Sequence, residues 1–167
     1  MKKFIKEIIP YIIIAIIVVL MRTYILTPVI VVGDSMIPTL KDKQILLLNK
    51  MNYRFNNIER YDIVVIKTKK EELIKRVIGL PGENIEYKDN YLYINNKKIE
   101  TKYNFETEDF KLEDICNCTQ IPEDKYLVLG DNRENSLDSR YKKIGLIDKK
   151  DIKGSVHISI LPIKKVK

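Results

Sequence analysis

Hydrophobic and polar positions divide the chain into two unequal parts. From Ile8 to Met21 it is almost wholly apolar, interrupted only by Pro10 and the amphipathic Tyr11. Counted strictly, that run falls short of the about 20 residues a bilayer span needs. Arg22 can snorkel and Tyr24 suits an interface, so a span from Phe4 to Tyr24 is feasible, with Pro10 in its first turns. Isoleucine and valine cover the whole circumference, which leaves no polar face for a core helix. A removable signal peptide would need a small-residue cleavage site, and Met21-Arg22-Thr23-Tyr24-Ile25 offers none. The pattern therefore favours an uncleaved anchor. Lys2, Lys3 and Lys6 ahead of it put the N-terminus in the cytoplasm and the remainder outside. The expected division is residues 1–26, tail and anchor, and residues 27–167, an extracytoplasmic domain.

Beyond the anchor the pattern is β. The β-branched run Val29 to Val32 suits a strand and is broken by Gly33-Asp34. Short apolar runs follow at Gln44–Leu48, Asp62–Ile66 and Leu73–Leu80, the last closed by Pro81-Gly82. Ile85–Lys88 and Tyr91–Ile94 flank Asp89-Asn90 as a hairpin, and Asn95-Asn96 turns into Lys97–Glu100. Tyr126–Leu129 and the alternating Lys153–Leu161 complete the strands. Thr101 to Asp124 is polar, acid-rich and without period, and reads as a surface excursion. Short strands at turn-marked intervals predict a mainly β, antiparallel sandwich or barrel-like domain.

Composition narrows the partners. In 167 residues there is room for one domain with a modest core. The net charge is +7, yet the lysines are scattered without arginine blocks or aromatic interleaving, so nucleic acid is not expected. Cys116 and Cys118 are too few for a structural zinc site and fit free thiols or a labile bridge, with no catalytic role.

One histidine in the whole chain restricts the chemistry. His157 lies inside the final strand and reads as structural, and a two-histidine metal site is impossible. No cofactor is expected. Ser35 follows Gly33-Asp34 at a strand end, a position that suits a nucleophile and an ordinary turn alike. Without histidine it would need another base, and a lysine serves when burial lowers its pKa. Lys75 is the lysine set in apolar surroundings. Alternation puts it on the face of Leu73 and Val77, more apolar than the face of Arg76, which favours burial over an outward-facing lysine. Gly130 to Arg140 is either a solvent loop or a hydrogen-bonded network, with Ser136 or Ser139 as donor and Asp138 paired to Arg140.

Taken together, G-D-S-M-I-P-T-L, Y-D-I-V-V-I, K-R-V-I-G-L-P-G-E and G-D-N-R-E-N-S-L-D-S-R resemble the bacterial type I signal peptidases. The order of the blocks and the preceding anchor match as well, and the likeness is weakest over Ile85–Lys125. The resemblance implies Ser35 as nucleophile, Lys75 as general base and Ser136 as the group orienting the amine. It implies an Asp138–Arg140 ion pair, with Asp131 in the same network. The Ser35 N–H would donate to the oxyanion. Gly33 stands where some members carry a second, serine donor, and Glu134 where Asp is frequent. Gly33, Asp34, Met36, Leu40 and Ile74 would meet the substrate, an exported preprotein bound extended and cut after small residues in an A-x-A-like pattern. The enzyme would be a monomer at the membrane.

Two other readings are distinguishable. Self-cleaving repressors share the Ser–Lys fold but carry a DNA-binding helical domain where this chain has an apolar anchor. A non-catalytic anchored binding domain would have lost Ser35 or Lys75, and both are present.

Overall fold

The apolar start forms one helix, α1 (Lys2–Tyr24), in the computed structural model, which describes residues 2–101, 103 and 105–166. Its stretch Glu7–Tyr24 is long and apolar enough to cross a membrane, and its apolar side chains are exposed. The helix starts earlier than the expected span, so Pro10 lies inside it and not in its first turns. One i→i−4 bond is lost there. The side chains of Lys2, Lys3 and Lys6, on which the expected orientation rests, lie outside the described residues, as does Lys167.

Strand β1 (Leu26–Ile30) follows directly, then β2 (Ile45–Asn49), a single helical turn α2 (Asn52–Phe55), β3 (Ile63–Lys67) and β4 (Glu72–Gly79). The middle of the chain makes β5 (Ile85–Lys88), β6 (Tyr91–Ile94), β7 (Lys97–Ile99), β8 (Phe110–Lys111) and α3 (Leu112–Cys116). It ends with β9 (Lys125–Leu129), β10 (Ile147–Asp148), β11 (Ile152–Leu161) and β12 (Ile163–Lys165). The expected strands all form within a few residues of their sequence bounds. The largest shift is at β1, which stops at Ile30, although Val31 still exchanges backbone hydrogen bonds with Gln44 and Lys43.

The fold is mainly antiparallel β. One eight-stranded sheet runs β1-β2-β11-β3-β4-β9-β10 with β12 beside β11, and a four-stranded sheet runs β7-β6-β5-β8. Period-2 alternation along β3 separates two cores. Ile63 and Val65 join Val31, Met36, Leu40, Leu46 and Leu48 on one face, while Val64 and Ile66 join Val77, Val128 and Ile147 on the other. Because β9 pairs β4 only over Arg76–Gly79, the first half of β4 presents a free edge on that side among the described residues.

A third core, built from Ile78, Ile85, Leu92, Leu127 and Leu129, packs the smaller sheet onto the larger. Here the expectation for Thr101–Asp124 needs correction. Leu112, Ile115 and Ile121 from that stretch are buried in this core, and Thr107 is buried as well. Such isolated apolar residues carry no period, and the surface that buries them is formed by both sheets together. Cys116 and Cys118 are disulfide-bonded. Between them Asn117 is left-handed (φ 52°), which brings the two Cα atoms to 5.2 Å, inside the range a bridge needs.

Candidate active site

The turn after β1 is held from both sides. Gly33 takes a left-handed conformation (φ +83°), which only glycine adopts without penalty, and its N–H donates to Asp42 Oδ1 at 2.9 Å. Ile37 N donates to Asp34 O, and Leu40 N to Met36 O, closing two turns around Ser35. The buried Met36 and Leu40 side chains pin those turns to the core. From the loop after β9, Asn132 donates its N–H to Ser35 O at 3.1 Å and its Nδ2 to Asp34 O at 3.1 Å. The Ser35 N–H has no partner among the described residues.

Lys75 reaches this serine from β4. It is 2 % exposed, and its Nζ donates to Ser35 Oγ at 2.7 Å. Burial disfavours the ammonium and brings its pKa down to about 8, against the opposing pull of the Asp138, Glu71 and Asp131 carboxylates. When the amine is neutral the same contact reverses, Ser35 O–H donating to Nζ, an arrangement chemically able to pass the hydroxyl proton to the amine.

Asp138 and Arg140 form the expected pair, Nε to Oδ1 at 2.9 Å and Nη2 to Oδ2 at 3.0 Å. Asp138 Oδ2 also accepts from Gly130 N at 3.0 Å, and Arg140 Nη2 donates to Arg133 O at 2.6 Å. Ser139 serves the strand instead of the serine, accepting from Val128 N at 3.0 Å. Ser136 Oγ is buried and has no hydrogen-bond partner, lying close against Gly130.

Asp131 belongs to a second pair that sequence reasoning missed. Arg76 donates Nε to Asp131 Oδ1 at 2.8 Å and Nη2 to Oδ2 at 2.7 Å, with both side chains wholly buried. Thr39 Oγ1 donates to the same carboxylate at 2.5 Å, tying the serine turn to the loop after β9. Tyr61 O accepts from Arg76 Nη1, and the Tyr103 ring lies 4.0 Å from the guanidinium carbon. The face of Arg76 therefore buries a charge as completely as the face of Lys75. Alternation cannot signal this, because the carboxylate that allows it comes from 55 residues away.

A cleft of about 120 Å³ opens beside Ser35 and Lys75, lined among others by Val32, Met36, Leu73 and Ile74. Met36 and Ile74 thus lie on the wall of this cleft. Leu40 lies behind them in the core and off the cleft wall, and Gly33 and Asp34 form the backbone next to it. A larger groove of about 640 Å³ along Lys67–Glu71 contains neither Ser35 nor Lys75. His157 is exposed on β11, so its structural reading does not extend to a buried, satisfied ring. Among the described residues no three His, Cys, Asp or Glu side chains come together as a metal site.

A family model described as signal peptidase, peptidase S26, matches residues 1–161. The chain belongs to this family. It is 38% identical to signal peptidase IB of Staphylococcus aureus (strain COL), over 100% of this chain and 95% of that protein. It is 36% identical to signal peptidase I of Bacillus amyloliquefaciens, over 93% and 87% respectively. The crystal structure of a signal peptidase I from Enterococcus faecalis V583 superposes with a TM-score of 0.54 at 35% identity, covering 60% of this chain and 97% of that one. The chain is accordingly a peptidase that removes signal peptides from exported preproteins, and α1 fits a single-pass anchor.

Proposed function

We propose that Ser35 and Lys75 form the catalytic dyad of this signal peptidase. The observation that carries the reading is the 2.7 Å contact between Lys75 Nζ and Ser35 Oγ at a lysine whose burial holds its pKa near 8. Neutral Lys75 takes the hydroxyl proton as Ser35 Oγ attacks the scissile carbonyl. The tetrahedral intermediate collapses to an acyl-enzyme as the lysine passes its proton to the leaving amine. Water, deprotonated by the same lysine, then releases the acyl group. The unpaired Ser35 N–H is the first oxyanion donor, worth about 3 kcal/mol in such sites. Gly33 has neither a side chain nor a free N–H to act as the second, since Asp42 holds its N–H.

The substrate binds extended, adding a strand along the free edge of Glu72–Ile74 opposite Gly33 and Asp34. Its P1 side chain meets Met36 and Ile74, with Leu40 supporting them from the core, and this shallow apolar wall selects small residues in an A-x-A-like pattern. Ser136 orients the lysine amine, its buried O–H being free of other partners. Asp138 with Arg140, and Asp131 with Arg76, hold the two loops that carry these groups. The protein works as a monomeric, single-pass membrane enzyme, with residues 1–26 as cytoplasmic tail and anchor and 27–167 as the extracytoplasmic catalytic domain.

The test is N-terminal mapping of the product released from a secretory preprotein by the purified full-length chain. Ser35→Ala, Lys75→Ala and Lys75→Arg are each expected to lose at least about a thousandfold in rate while staying folded, because guanidinium cannot accept the proton. Undiminished cleavage in any of the three overturns the dyad.

A further inference from the structure

Arg133 links the Gly130–Arg140 loop to the smaller sheet and to the segment leading into β8. It is 5 % exposed, and no carboxylate pairs with it among the described residues. Its Nε donates to Gly130 O at 3.0 Å, and its Nη1 donates to Thr107 Oγ1 and, at 3.3 Å, to the Tyr87 hydroxyl. The guanidinium carbon lies 5.3 Å from the Tyr87 ring centre and 5.5 Å from that of Phe105. Its Nη2 is buried without a partner. A guanidinium buried this way is costly, and neutral oxygens and two ring faces are what hold it.

Thr107 is fixed in turn. Its N–H donates to Asn90 Oδ1 at 2.9 Å in the β5–β6 turn, and its hydroxyl donates to Phe105 O at 2.6 Å. A continuous chain of hydrogen bonds thus runs from that turn through Thr107 and Arg133 to Gly130. From Gly130 it passes to the site. Gly130 N is bound to Asp138, Ser136 packs on the Gly130 Cα, and the next residues lead to Asn132, which grips Ser35 O.

We propose that Thr107 and Arg133 are positioning residues for catalysis, through which the smaller sheet sets the placement of Gly130 and hence of Ser35 against Lys75. The contact reaches no residue of the cleft, so it acts on the chemical step and leaves substrate binding alone. The proposal rests on the Ser35–Lys75 reading.

Full-length protein in detergent, with a preprotein-derived peptide as substrate and rates normalised to folded protein by circular dichroism, tests it. Thr107→Val, which keeps the shape and removes the acceptor, is expected to lower kcat about tenfold with KM within about twofold of the parent, and Thr107→Ser to restore kcat. Arg133→Lys, which cannot reach Gly130 O and Thr107 together, follows Thr107→Val. An unchanged kcat in folded Thr107→Val, a loss lying wholly in KM, or a Thr107→Ser variant as slow as Thr107→Val overturns the proposal. If Arg133→Lys does not fold, the two Thr107 variants decide alone. Ser35→Ala run alongside separates the two readings: residual activity there overturns the dyad, whereas an inactive Ser35→Ala with unaffected Thr107→Val overturns only the positioning role.

Discussion

Lys75 and Arg76 are adjacent on one strand, both buried, and point to opposite faces of the sheet. Lys75 lies across from Val64 and Arg76 across from Ile63, two residues that belong to separate cores. One cation faces a hydroxyl and its pKa falls, while the other is matched by a bidentate carboxylate. Burying a charge without a partner lowers a lysine into useful range, whereas burying it with one makes a structural bolt.

Activity is expected to rise with pH through about 8, as Lys75 loses its proton. The kcat/KM profile of the free enzyme measures this, and a flat profile from acid to alkaline would remove lysine as base. Stability carries the same signature. The folded pKa is below the ordinary lysine value of 10.5, so between about 8 and 10.5 the unfolded chain binds more protons and stability rises with pH. Chemical denaturation of the parent against Lys75→Met across that window should show a more positive slope in the parent than in the variant.

Removing one member of the Arg76–Asp131 pair leaves the other charge buried. Asp131→Ala or Arg76→Met should each cost about 3–5 kcal/mol in urea unfolding. The double variant should lose much less than their sum, since neither charge is then stranded.

Gly130 has no room for a side chain. A Cβ there would lie 2.1 Å from Ser136 Oγ and 2.5 Å from Ser35 O. Gly130→Ala must displace the serine turn or the Ser136 hydroxyl, and a rate loss of about a hundredfold or more is expected from misplacement of reacting groups. A preserved circular dichroism spectrum would assign that loss to the site.

Ser136→Ala removes a buried hydroxyl that has no partner, so its effect on stability should stay within about 1 kcal/mol. A fall in kcat of about tenfold or more would then report loss of amine orientation. An unchanged kcat would reassign Ser136 to packing against Gly130.

Local pattern along the chain was enough to locate the elements and much of the chemistry. The run from Ile8 to Met21 has no polar face to turn to water, which sets it apart from a core helix and leaves its apolar side chains exposed along its length. Period-2 alternation and the turn residues at Asp89-Asn90 and Asn95-Asn96 located β5, β6 and β7. With one histidine in the chain, a serine base had to be sought among lysines, and the apolar neighbours of Lys75 singled it out. These are local properties, readable over a few residues.

The tertiary structure decided what depends on residues distant in sequence. The Thr101–Asp124 stretch acquired a buried face only by meeting the core between the two sheets. Arg76 became buried only because Asp131 arrives beside it. Asn132 holds Ser35 O and Arg133 reaches Thr107 through contacts that no periodicity encodes. A charge or polar group is buried at tolerable cost only when its partner is delivered by the fold, and which partner arrives is a property of the packed sheets.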